Sequence, residues 1–202
     1  MNNGAIILAA GDGKRMKSAR PKVMCEVLEK PMIGWVIDSL CEADFSADAI
    51  GVVVGNGAEI VSGYVNSLGV TRTFMQAERK GTGHAVMQAA DMLDLCDNVL
   101  VLCGDAPFID SDTIRNSLEA HISSESKVTV VTAEIGNPTG YGRIIRDENG
   151  KFVESVEQKD ATDEEKMIAE INTGTYCFNQ KFLLQSYFRL LPSAQTIRLH
   201  SF

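Results

Sequence analysis

Short apolar runs alternate with amphipathic segments along most of the chain. AIILAA predicts a first strand, and PMIGWVIDSLCEA a helix with Ile33, Val36, Ile37 and Leu40 on one face and Pro31 near its start. IGVVVG predicts a second strand and AEIVSGYVNSL a second helix, followed by a short strand TRTFMQ and a helix TGHAVMQAADML. NVLVLCGD reads as a fourth strand, SDTIRNSLEAHI as a helix beginning on a Ser/Asp cap, and KVTVVTAEI as a fifth strand. Strands this rich in Val, Ile and Leu are buried on both faces. The pattern therefore predicts an α/β fold, a mostly parallel sheet with helices on both faces.

The pattern changes after Ile135. GNPTGYGRIIRDENGKFVESVEQKD carries turn signals at Asn-Pro, Thr-Gly and Glu-Asn-Gly around two alternating runs, Arg143–Arg146 and Lys151–Val156, which is a hairpin signature. In TDEEKMIAEI, Thr162 and Glu165 have capping-box spacing and predict a short helix. INTGTYCFN predicts another strand, and a last helix runs from Lys181 to about Leu191. The expected organisation is a nucleotide-type α/β core over 1–135, a small β-rich lobe over 136–180, and a last segment over 181–202.

Charge narrows the functional classes. A formal net charge of -8 over 202 residues disfavours nucleic acid and anionic membranes, since the summed field repels phosphate polymers. No run approaches the roughly 20 apolar residues of a membrane span, and the start of the chain lacks a basic signal-peptide region. The five cysteines are scattered without a C-x-x-C pair, as expected of buried free thiols in a reducing compartment. A cytoplasmic protein is expected.

Against that acidic background, LAAGDGKRMKSARPK concentrates five basic residues and one carboxylate, Asp12, directly after the first strand. Gly11-Asp12-Gly13-Lys14-Arg15 lacks the third glycine of a dinucleotide fingerprint. It also lacks the first glycine and the Ser/Thr of a Walker A loop. What remains is a glycine nest followed by Lys14, Arg15, Lys17, Arg20 and Lys22. Glycines let backbone N–H groups approach phosphate oxygens, Arg15 offers a planar fork, and Lys22 a compact positive charge. A solvated basic turn is the plainer alternative, but strand, glycines and charge coincide here, so the loop reads as a phosphate site.

Asp105 closes the run NVLVLCGD and projects from a strand's carboxyl end, where open α/β sheets bind ligands. Turn chemistry in Asp105-Ala-Pro is one reading. A Mg²⁺ ligand is the better one, because that ion takes hard oxygens and is usually held by one or two carboxylates plus substrate phosphates. Gln76 in QAERKGTGH offers a donor and an acceptor that suit the edge of a pyrimidine, and Gly81 and Thr82 expose backbone at a helix start. A plain glycine loop with a Thr cap fits those residues equally well. His84 reads as a helix-start residue and not a base.

LAAGDGKRMKSARPK resembles the L-A-A-G-x-G-x-R-M-x-x-x-x-P-K signature of sugar-phosphate nucleotidyltransferases. The resemblance to the uridyltransferase domain of bifunctional bacterial N-acetylglucosamine-1-phosphate uridyltransferases continues through QAERKGTGHAVMQA, LCGDAP, GYGRIIRDENG, VEQKDATDEE and EINTGTY, from about Ile6 to Phe178. It implies a Rossmann-like nucleotidyltransferase fold. It also implies uridylyl transfer from UTP to N-acetylglucosamine 1-phosphate, giving UDP-N-acetylglucosamine for cell-wall synthesis. By the same resemblance Arg15, Lys22 and Asp105 are catalytic, with Asp105 holding Mg²⁺. Leu8, Ala9, Ala10, Gly11, Lys22, Gln76, Gly81, Thr82, Cys103, Gly104 and Asp105 contact the nucleotide, and Gly142, Glu157 and Asn172 the amino sugar.

The chain departs from that pattern. Lys14 stands where the family often has Thr, and SAQTIRLHSF replaces the stretch that carries a second Mg²⁺ ligand, an Asn. The acetyltransferase β-helix that forms the family's trimer does not appear, so a truncated chain that is a monomer or weak dimer is expected. Two other readings stay open: an inactive nucleotide-sugar-binding fragment, and a relative that transfers another nucleotide, such as a molybdopterin guanylyltransferase.

Overall fold

β1 (Asn3–Ala9) is buried along nearly its whole length, and its side chains divide between two cores. In the computed structural model, which describes residues 2–11, 20–78 and 80–190, it is an interior strand of a sheet. A short hairpin, β2 (Glu26–Val27) and β3 (Lys30–Pro31), leads into α1 (Met32–Glu42). β4 (Ile50–Val54), α2 (Ala58–Ser67) and β5 (Arg72–Met75) follow, then α3 (Thr82–Gln88), α4 (Ala90–Leu93) and β6 (Asn98–Cys103). The chain continues through α5 (Ser111–Ser123), β7 (Val128–Glu134), β8 (Gly142–Arg146), β9 (Phe152–Val156), β10 (Glu170–Asn179) and α6 (Gln180–Leu190).

The described chain divides into two compact units. One runs to Thr129 and resumes at Tyr176, and the other is Val130–Thr175. In the first, β5, β4, β1 and β6 lie side by side in parallel, and Tyr176–Asn179 of β10 pairs antiparallel to β6. Alternate residues face opposite cores. Ala5, Ile7, Val52, Val54, Leu100 and Leu102 pack with Ile33, Val36, Leu40, Val61 and Ile114 of α1, α2 and α5. Ile6, Val53, Val99 and Val101 pack with Ala85, Val86, Leu93 and Leu183 of α3, α4 and α6. Each fully buried Ile, Leu or Val contributes about 1.5–3 kcal/mol, so helices on both faces follow from strands that are apolar on both.

In the second unit, β8 and β9 form the predicted antiparallel hairpin, and Ile171 and Asn172 of β10 pair with Arg143 and Gly142 of β8. The fifth predicted strand, β7, does not extend the parallel set but pairs β10.

Several local expectations are corrected. The third predicted helix is broken, because Ala89 leaves helical geometry at φ -96, ψ 24 between α3 and α4. The cap of α5 is Asp110, whose carboxylate accepts from the Thr113 amide at 2.6 Å, and not the Ser/Asp pair that follows it. Thr162 and Glu165 do form a reciprocal capping box, with N–H···O distances of 2.7 and 3.2 Å, but it opens a 3₁₀ turn over Glu165–Met167. No helix among the described residues is long and apolar enough to cross a membrane.

Candidate functional site

Register brings the expected nucleotide residues of the first unit to one end of its sheet. Leu8 of β1 is level with Cys103 of β6, Ala9 with Val54 of β4, and Val54 with Met75 of β5. Ala10 and Gly11, Gln76, and Gly104 and Asp105 therefore all leave strand carboxyl ends on the same side. The chain moves outward from β1 to β4 and β5, then returns to β6 on β1's other flank. That makes the gap between β1 and β6 the topological switch point, where open α/β sheets hold ligands.

At that gap the strands touch closely. The Gly104 amide donates to the Leu8 carbonyl at 2.9 Å, and a Cβ on Gly104 would lie 3.2 Å from Ile7 Cγ2, Leu8 O and Val23 Cγ1. Gly104 thus lets the β6 end lie against β1 and sets where Asp105 emerges. Lys22 is fixed independently. It opens a 3₁₀ turn, Lys22–Met24, whose Val23 and Met24 are buried in the core, with Cys25 N donating to Lys22 O at 3.0 Å. From there Lys22 Nζ donates to Asp105 Oδ2 in an ion pair, each side chain about one-third exposed.

Cys103 lies at the end of β6. Burial pushes its thiol up to about 11, the Asp105 carboxylate adds to that, and Lys22 opposes it. A thiol raised this far is neutral at physiological pH, as expected of a buried cysteine. Among the described residues no group of three or more His, Cys, Asp or Glu could hold a metal ion. A lone carboxylate at a strand end is a donor set for a hard cation shared with substrate phosphates, and not for a closed protein cage.

Gln76, 6% exposed, follows β5 and is anchored by its amide to Val54 O at 2.8 Å. Its side-chain Nε2 donates to Gly81 O at 3.2 Å and pairs with His84 Nδ1 at 3.1 Å. Both contacts hold the amide's nitrogen end, which fixes the direction of the Oε1 acceptor. Gly81 has φ 97 and ψ 178, a conformation essentially reserved for glycine, and Thr82 begins α3 exposed to solvent. The contact of His84 with Gln76 is one that sequence reasoning missed. Gln76 follows β5 and His84 lies in α3, so only the fold brings the two side chains together.

In the second unit, Gly142 of β8 lies opposite Asn172 of β10. Asn172 Nδ2 donates to Ser155 Oγ at 3.1 Å, and its Oδ1 accepts from the Gly174 amide at 2.9 Å. Glu157 is exposed just after β9, its carbonyl accepting from the amides of Asp160 and Ala161 at 2.9 and 3.0 Å. Leu8, Ala9 and Ala10 are partly or fully buried, and Gly11 is exposed. Arg15, with the rest of the basic loop from Asp12 to Ala19, lies outside the described residues.

The MobA-like NTP transferase domain matches residues 5–170. The chain is 48% identical over 191 residues to the bifunctional protein GlmU of Clostridium novyi, covering 94% of this chain and 41% of that protein. The bifunctional protein GlmU of Clostridioides difficile is 46% identical over 186 residues, covering 92% and 40%. The chain thus spans about two fifths of the length of these curated relatives. Among solved structures, a candidate glucose-1-phosphate thymidylyltransferase from Bacillus anthracis, in complex with sucrose, superposes with a TM-score of 0.77 at 25% identity. It covers 96% of this chain and 77% of that one.

Proposed function

Because the chain belongs to the MobA-like NTP transferase domain family, we propose that it transfers a uridylyl group from UTP to N-acetylglucosamine 1-phosphate, releasing pyrophosphate. The observation that carries the reading is an ammonium and a carboxylate in contact at the switch point, Lys22 against Asp105. The relatives named GlmU, and motifs resembling the uridyltransferase domain, support the choice of nucleotide and sugar.

The nucleophile in such a reaction is already an anionic phosphate oxygen, so no general base is required. The protein's work is to bring two anions into line and neutralise charge on the transferred group. Lys22, carried on a turn rooted in the core, supplies a fixed positive charge for the triphosphate, with Arg15 of the basic loop as its partner. The carboxylate of Asp105 suits Mg²⁺, which when bound supplies charge neutralisation on phosphate oxygens. Gln76, with its amide nitrogen committed to Gly81 and His84, presents Oε1 as an acceptor for the N3–H of uracil. Gly142, Glu157 and Asn172 of the second unit are the residues to read the amino sugar. Such substrates belong to the cytoplasm.

Pyrophosphate release by the purified chain with UTP, N-acetylglucosamine 1-phosphate and Mg²⁺ tests the reading. UTP is expected to outperform CTP, GTP and dTTP, and Asp105→Ala to abolish release. Preference for another nucleotide assigns the chain to a different transfer. UDP-N-acetylglucosamine binding without turnover assigns it a binding role only.

A further inference from the structure

The second unit buries a cation. Arg143 on β8 is 1% exposed and, among the described residues, forms no ion pair. Its guanidinium is held by neutral acceptors alone. One terminal nitrogen donates to the Tyr141 carbonyl, and the other donates to Gln158 Oε1 at 2.9 Å and to Lys166 O at 3.3 Å. Nε is buried without a hydrogen-bond partner among the described residues. Gln158 Oε1 also accepts from the Gly140 amide at 3.0 Å.

A guanidinium is always charged, and taking one out of water is costly even when a carboxylate answers it. Stability alone would favour an apolar side chain here, so the cost needs another return. One is visible in the chain segments that the guanidinium ties together: the loop entering β8, the turn leaving β9, and the 3₁₀ turn at Lys166. Gly142 directly precedes Arg143, and Glu157 directly precedes Gln158. Two of the three expected sugar contacts are therefore immediate chain neighbours of the two ends of one hydrogen bond.

We propose that Arg143 and Gln158 are positioning residues for sugar-phosphate recognition, a fork and acceptor that hold the Glu157 carboxylate in register with Gly142. The inference rests on the uridylyltransferase reading. It adds that sugar affinity depends on a buried pair that does not touch the ligand.

The test uses Gln158→Met, which removes the acceptor and leaves the charge in place, beside Arg143→Lys, which keeps charge without the fork. Both are compared with Glu157→Ala and with the Gln158→Met/Glu157→Ala double variant. Gln158→Met is expected to raise KM for N-acetylglucosamine 1-phosphate about tenfold, a coupling usual between touching residues, with kcat and the KM for UTP within about twofold. UDP-N-acetylglucosamine should bind more weakly while UDP binding stays unchanged. The double variant should be no worse than Glu157→Ala, because the acceptor acts through that carboxylate. Additive losses, or equal losses toward UTP and sugar phosphate in a folded Gln158→Met variant, overturn the inference while leaving the activity standing. A wild-type chain that neither turns over nor binds UDP-N-acetylglucosamine overturns the functional reading, and this inference with it.

Discussion

Lys22 and Asp105, 83 positions apart in the chain, form an ion pair at the carboxyl end of β6. On the uridylyltransferase reading, the Lys22 ammonium sits on the carboxylate proposed to hold a divalent cation. Both side chains are about one-third exposed, so water screens the pair and it contributes no more than about 1 kcal/mol. On the same reading, a bound triphosphate would give Lys22 a second anion and free Asp105 for the cation. In Lys22→Met, calorimetric titration should therefore show nucleotide-free Mn²⁺ binding about fivefold more tightly, and UTP more weakly. Unchanged Mn²⁺ affinity would mean that the pair does not compete with the metal.

Asp105→Asn separates chemistry from stability at the same site. Pyrophosphate release should fall at least about a hundredfold, because the amide keeps an oxygen but loses the negative charge that suits a divalent cation. Thermal unfolding should move by no more than a few degrees, since the Lys22 side chain left behind is partly solvated. A large loss of Tm would instead make Asp105 a structural residue.

Gly81 tests how the Gln76 amide is held. At φ 97 and ψ 178 a Cβ is strained, and Gly81→Ala should cost about 1–3 kcal/mol, read as a fall of several degrees in Tm. The carbonyl that accepts from Gln76 moves with it, so UTP affinity should drop more than UDP-sugar discrimination. Gln76→Leu should reproduce the affinity loss without the loss of stability. UTP binding unchanged from the wild type in Gln76→Leu would remove Gln76 from base recognition.

His121 on α5 gives the fold a pH dependence. It is 1% exposed, its Nδ1 lies 2.9 Å from Thr129 Oγ1, and its Nε2 is buried with no hydrogen-bond partner among the described residues. Burial pushes its pKa below the ordinary 6.5. The folded state thus resists protonation that the unfolded chain accepts. The stability this group contributes is complete above pH about 6.5 and is lost as pH falls from there through the folded pKa. Denaturant titration of the wild type should show a fall in stability between pH 7.5 and 5.5 that is smaller in His121→Gln. Identical slopes in the two proteins would place the pH dependence elsewhere.

The sequence by itself determined the local elements and the order of the motifs. Apolar runs such as AIILAA and NVLVLCGD are strands because both of their faces are buried, and turn residues at Asp147–Gly150 close the β8–β9 hairpin within a few positions. The placement of Lys22 after the first strand, and of Asp105 at the end of another, was equally legible, since strand ends are marked by where the apolar run stops. What periodicity does not carry is which ends meet. Contact between Lys22 and Asp105 depends on β6 pairing β1 on the flank away from β4, a choice made by packing over the whole sheet. The opposition of Gly142 and Asn172 depends likewise on the register of β10 against β8. Local pattern also overstated the continuity of the third helix, where Ala, a strong helix former, stands at the break. His84 holding Gln76 and the burial of Arg143 were invisible for one reason. A polar side chain declares its chemistry in the sequence, but its solvent exposure and its partners are properties of the neighbours that folding supplies.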